Sequence, residues 1–133
     1  MPTNDILDHI VIGSNDAAAT AKLFTDNYGI EIKRVMSRPG TGSHMEFAKI
    51  REVVLEFAGP GEPKAEDGVK ANLAGVVLAV KDMGKAVAAT RAAGFEVEEP
   101  HAAVQPGAIF AAVTSGSHGM PFGFIQYNAT GDA

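Results

Sequence analysis

Two residues of this 133-residue chain stand where their own chemistry demands a partner. His9 heads the apolar run of "LDHIVIG", and Glu56 lies inside "VVLEFAG". A carboxylate on the inner face of a buried strand is costly unless a proton, a hydrogen bond or a cation offsets its lost hydration. An imidazole beside it can serve as a plain hydrogen-bond partner, can exchange protons with it, or can join it in holding a divalent ion. The chain has four histidines and no cysteine, so any metal must be held by histidine, carboxylate, amide or water.

A second polar pair, His44 and Glu46, alternates with Met45 and Phe47 in "GSHMEFAKI". Strand alternation allows Met45 and Phe47 to face a helix while His44 and Glu46 point the way Glu56 does. On that placement His9, His44 and Glu56 would form a two-histidine, one-carboxylate set; the alternative is that His44 and Glu46 both lie on the solvated surface of their strand. His101 in "EEPHAAV" and His118 in "SGSHGMP" fall in loop-like stretches, where an exposed histidine needs no explanation, although His118 could rim a pocket. The glycine turns "RPGTG" and "SGSHG" match neither the phosphate-loop nor the dinucleotide pattern.

The elements that must position these residues repeat along the chain. "ILDHIVIG" reads as a buried strand, and "SNDAAATAKLFTDNYG" as a helix. Ser14 or Asn15 would cap that helix, Asp16 would meet its positive end, and Gly29 would close it in a left-handed conformation. Leu23, Phe24 and Tyr28 would form its buried stripe. Three strand-like runs follow, "IEIKRVMSR", "SHMEFAKI" and "REVVLEFAG", completing a βαβββ module over about 5–59. The Pro- and Gly-rich stretch 60–72 reads as a linker. The pattern then restarts 66 residues on: "LAGVVLAVKD" matches "LDHIVIGSND", with Asp82 for Asp16 and Gly94 near the place of Gly29. "FEVEEPHAAV", "GAIFAAVTSG" and "MPFGFIQYN" supply three more strands, so a second module spans about 73–127. Each module alone is too small for a good core, which predicts one α+β domain over 1–133, two tandem βαβββ modules packed as curved mixed sheets around a cavity.

Composition narrows the partners. A net charge of −5 with 11 Lys plus Arg and no basic cluster leaves no footprint for nucleic acid or an anionic membrane. No apolar run reaches the roughly 18 residues a membrane span needs. The opening "MPTNDILDHI" lacks the basic and apolar regions of a secretory leader, which predicts a cytoplasmic protein.

"LDHIVIGSND", "VVLEFAGP" and "MPFGFIQY" resemble the first, fourth and closing strands of the vicinal oxygen chelate superfamily, which includes glyoxalase I, bleomycin resistance proteins and extradiol dioxygenases. The resemblance implies the glyoxalase fold and, in members with chemistry, a divalent ion such as Zn, Ni, Mn, Fe or Co held by two residues from each module. Here it assigns His9 and Glu56. In the second module the corresponding positions are Gly75 and Gly123, so half the ligand set has no side chain. Alternation puts Gly123 and Ile125 on the ligand-facing side of the last strand and turns Phe122, Phe124 and Gln126 away, which argues against Gln126 as a replacement ligand.

Two functions therefore stay open. In one, His9 and Glu56, completed by His44 or water, hold a metal that polarises a small oxygen-bearing substrate in a lyase, isomerase or dioxygenase reaction. In the other, the glycines give room to an organic ligand or antibiotic that is bound without metal, beside Met45, Phe110 and Ile125. His44, Glu46, Gly75 and Gly123 would line the same site. The resemblance also implies a homodimer.

Overall fold

The computed structural model describes residues 6–128. The first five residues, on which the leader reading and the module start at residue 5 depend, lie outside them. Within that span are β1 (Ile6–Ser14), α1 (Ala17–Tyr28), β2 (Ile32–Ser37), β3 (His44–Ile50), β4 (Val53–Gly59), β5 (Ala71–Ala79), α2 (Met83–Ala92), β6 (Glu96–Val97), β7 (His101–Ala102), β8 (Ala108–Ser115) and β9 (Phe122–Tyr127). The chain is α+β and divides into two compact units, one of His9–Ala74 and one that begins at Gly75 and takes in Asp8.

In the first unit the strands run in the order β2-β3-β4-β1. The pairs β2/β3 and β3/β4 are antiparallel, and β1 lies parallel to β4. Helix α1 starts one or two residues later than the sequence suggests: Asp16, and neither Ser14 nor Asn15, is its cap, accepting from the Ala19 amide at 3.1 Å, while Ser14 Oγ accepts from the Asp16 amide at 3.0 Å. Gly29 closes the helix at φ 67°. The face laid on the sheet is Ala17, Thr20 and Ala21, with Phe24 partly buried; Leu23 and Tyr28 are 56% and 70% exposed. The correction has a steric cause. Residues 17, 20, 21 and 24 share one side of the helix, and their small members let its axis approach the strands closely. Buried Thr20 is satisfied by Ser14 Oγ at 2.7 Å.

The second unit repeats the plan. Its β5 runs parallel to β9, β8 is antiparallel to β9, and α2 is capped by Asp82, whose side chain accepts from the Lys85 amide at 3.0 Å. Asp16 and Asp82 are thus equivalent helix caps, as the repeat predicts. The single strand expected in "FEVEEPHAAV" is instead two fragments, β6 and β7, both paired with β8. Pro100 between them has no amide hydrogen to donate to a ladder, and the β6 register slips between Glu96 and Val97. The core under α2 gathers Val80, Met83, Ala86, Val87, Val97, Ala111, Val113 and Phe124.

Candidate functional site

Strand register decides which side chains share a face. In β1 and β4, Ile10, Ile12, Leu55 and Phe57 pack against α1. His9 stands opposite Val54 and Val11 opposite Glu56, which puts His9 and Glu56 together on the helix-free face. There His9 Nε2 lies 3.5 Å from Glu56 Oε1, with the two residues 5% and 7% exposed. That separation is long for a hydrogen bond and suits an electrostatic contact. Burial raises the Glu56 carboxyl above its ordinary range, and the charges of His9 and Arg38 pull it part of the way back.

His44 and Glu46 do not join this pair. Phe47, not Glu46, stands opposite Glu56, while Glu46 stands opposite Phe57 on the helix side. The expected parity of β3 is therefore reversed: Met45 and Phe47 share the Glu56 face, and His44 bonds Glu46 on the other one at 2.7 Å. The row across the sheet on the helix-free face reads Arg34, Phe47, Glu56, Val11. Next to it runs the row Lys49, Val54, His9. The Arg34 guanidinium sits over the Phe47 ring, 6.0 Å from its centroid. Phe47, Arg34 and Arg38 were not singled out from the sequence. The signal that finds them is the two-residue turn Arg51–Glu52, which pairs Ile50 with Val53 and so fixes Phe47 against Glu56.

In the second unit Val77 stands opposite Gly123, the counterpart of Val11 opposite Glu56. The register thus makes Gly123 the equivalent of Glu56 and Gly75 the equivalent of His9. The two glycines differ in surroundings. A Cβ on Gly75 would have only Pro121 nearby, at 3.8 Å. One on Gly123 would lie 2.7 Å from Phe110 Cζ and 2.8 Å from the Ala111 carbonyl oxygen. The space expected for a ligand above Gly123 is therefore filled by the Phe110 ring. Ile125, opposite Phe110, is 1% exposed. Gln126 points toward α2, where its Oε1 accepts from the Met83 amide at 2.6 Å, in keeping with the predicted parity. His101 stacks edge-on against Phe110 at 5.9 Å, and its Nε2 lies 2.9 Å from Glu98 Oε2. His118 occupies an exposed turn at φ 58°.

These residues do not make a good metal centre. Among the described residues no group of three or more His, Cys, Asp or Glu side chains converges as metal ligands. His9 and Glu56 supply two donors, the second module supplies none at the equivalent positions, and His44 lies on the wrong face. Transition metals in catalytic sites generally need three protein ligands.

Residues 6–118 match the Glyoxalase/Bleomycin resistance protein/Dioxygenase superfamily, and the chain belongs to it. Among solved structures it is similar to a hypothetical protein from Bacillus halodurans C-125, with a TM-score of 0.80 and 16% identity over 98% of this chain and 100% of that one. It is also similar to a Streptomyces coelicolor methylmalonyl-CoA epimerase variant in complex with 2-nitronate-propionyl-CoA, with a TM-score of 0.74 and 19% identity over 92% of this chain and 97% of that one. The Mycobacterium tuberculosis methylmalonyl-CoA epimerase gives a TM-score of 0.76 at 10% identity, covering 96% and 93%. These likenesses establish the fold. Among curated proteins none matches the sequence.

Proposed function

We propose that this protein binds a small organic molecule on the helix-free face of its first unit, around Glu56, His9 and Phe47, and does so without a resident metal ion. The observation that carries the reading is the second module's pair of glycines, one of them capped by the Phe110 ring, at the positions equivalent to His9 and Glu56. Membership of a superfamily named for enzymes and for a drug-resistance protein supports a small-molecule ligand. The family resemblance also favours a homodimer.

A second reading has its own observation. Burial holds the Glu56 carboxyl toward its protonated form 3.5 Å from His9 Nε2. Such a pair can deliver and take up a proton on a bound ligand, which would make the protein a metal-free isomerase or lyase. Elemental analysis of the purified protein, followed by amide NMR titration with a small-fragment library, tests both. Metal far below one ion per chain, with fragment shifts clustered at Val11, Phe47 and Glu56, is the expected result. One ion per chain that is lost in Glu56→Gln would overturn the metal-free reading.

A further inference from the structure

The helix-free face of the first unit carries positive charge in a chain whose net charge is −5. Arg34 stands in the same cross-strand row as Phe47 and Glu56, Lys49 is in the next row, and the charge of Arg38, just past the end of β2, reaches Glu56. Three other exposed cations are paired off this face: Lys22 with Asp26, Lys33 with Glu31, and Arg91 with Glu99. Among the described residues Arg34, Arg38 and Lys49 make no such ion pair within 4.0 Å.

Geometry adds to charge. Strands lie about 4.8 Å apart, so Arg34 and Glu56, with Phe47 between them, are separated by roughly 10 Å at the backbone. That is the length of a small aryl or branched alkyl acid. The Arg34 guanidinium, held over the Phe47 ring, is a planar fork suited to a carboxylate. Half-buried Phe47 offers an apolar surface beneath it.

We propose that the ligand of this face is a small organic anion, its charged end held by Arg34 and Arg38 and its apolar body lying across Phe47 toward Glu56. The proposal rests on the small-molecule reading above and names its ligand class. A polyanion is not the fitting occupant, because three cations on one face must work against the −5 charge of the whole chain.

The test is an amide NMR titration at low ionic strength with two probes of one shape, phenylacetate and its neutral amide phenylacetamide. Arg34→Gln and Arg38→Gln are compared with the unaltered chain, and Lys85→Gln serves as a control on the second unit. Both arginines are exposed, and the amide spectrum reports directly that each variant is folded. The expected result is saturable shifts at Arg34, Phe47 and Glu56 with phenylacetate in the millimolar range. Phenylacetamide should bind roughly tenfold more weakly, and each arginine variant should lose about tenfold for phenylacetate while leaving the amide unchanged. Equal binding of the two probes, or arginine variants that bind phenylacetate unchanged, overturns the anion assignment and leaves the small-molecule reading intact. Absence of shifts on this face with either probe overturns both.

Discussion

Ionisation of Glu56 opposes folding, because its carboxyl is raised by burial in the native state and has its ordinary value in the unfolded chain. Between the ordinary and the raised value the native state holds a proton that the unfolded state has released, so stability falls as pH rises through that window. Glu56→Gln removes the titration. Its melting temperature relative to the unaltered chain should climb from about pH 4.5 upward and then level off, a tenfold change in the acid's dissociation constant on folding being worth about 1.4 kcal/mol. Thermal melts of both proteins across pH 4 to 8 read this. A difference that shrinks with rising pH would mean that His9 and Arg38 hold Glu56 as an anion. Gly123 is the other decisive residue. Gly123→Ala would push a methyl into Phe110 and the Ala111 carbonyl and should cost about 1–3 kcal/mol in chemical denaturation. Phe110→Leu in the same chain should recover only part, since the backbone oxygen stays in place. That Glu56 needed a partner and that Gly123 stood in its equivalent place were legible in the sequence. That a ring covers Gly123 was not, because Phe110 reaches it diagonally from β8, and alternation within one strand says nothing of a neighbour's diagonal reach.

At the scale of elements, the strand and helix order was readable from turn chemistry and apolar runs, while the faces were harder to assign. In β3 both alternate sets mix sizes and polarities: His44, Glu46 and Ala48 on one side, Met45, Phe47 and Lys49 on the other. Hydrophobicity alone does not choose between them. The two-residue turn at Arg51–Glu52 does, since a tight hairpin fixes register and a slip of one residue would exchange the two sets. Helix α1 misled in a similar way, because Leu23 and Tyr28 outrank Ala17 and Ala21 in hydrophobicity yet point outward. Two substitutions separate these readings. Leu23→Ala should change stability by under about 0.5 kcal/mol, as an exposed substitution does. Ala21→Leu should cost about 1–3 kcal/mol by forcing α1 off β3 and β4. Gln126→Leu leaves the Met83 amide at the start of α2 without its acceptor and should cost about 1 kcal/mol. Urea denaturation of the three variants measures all of these.

For the molecule as a whole, the repeat was the most legible feature, since it showed in caps, apolar runs and turns at one spacing. The structure carries that spacing down to hydrogen-bond register: Asp16 and Asp82 cap equivalent helices, and the Val11–Glu56 pairing recurs as Val77–Gly123. Two modules so alike in backbone differ most in what they present for chemistry, His9 and Glu56 in one and two glycines in the other. A duplicated fold needs its strand pairing and helix caps twice, whereas the side chains that face a ligand can differ between the two copies. The consequence for metal binding is quantitative. A site with micromolar affinity, given metal at a hundredfold excess, would stabilise the native state by about 2.7 kcal/mol. For a chain of 133 residues that is a rise of roughly 8 °C in melting temperature. Melts with Mn, Fe, Co, Ni or Zn ions at that excess should instead shift by less than about 1 °C, and treatment with a chelator should leave the transition in place, because two donors at 3.5 Å, with no third converging ligand side chain among the described residues, bind such ions weakly. A rise of several degrees with one ion, abolished in His9→Gln, would show that water or backbone oxygens complete the set and would return the protein to the metal-using branch of its superfamily.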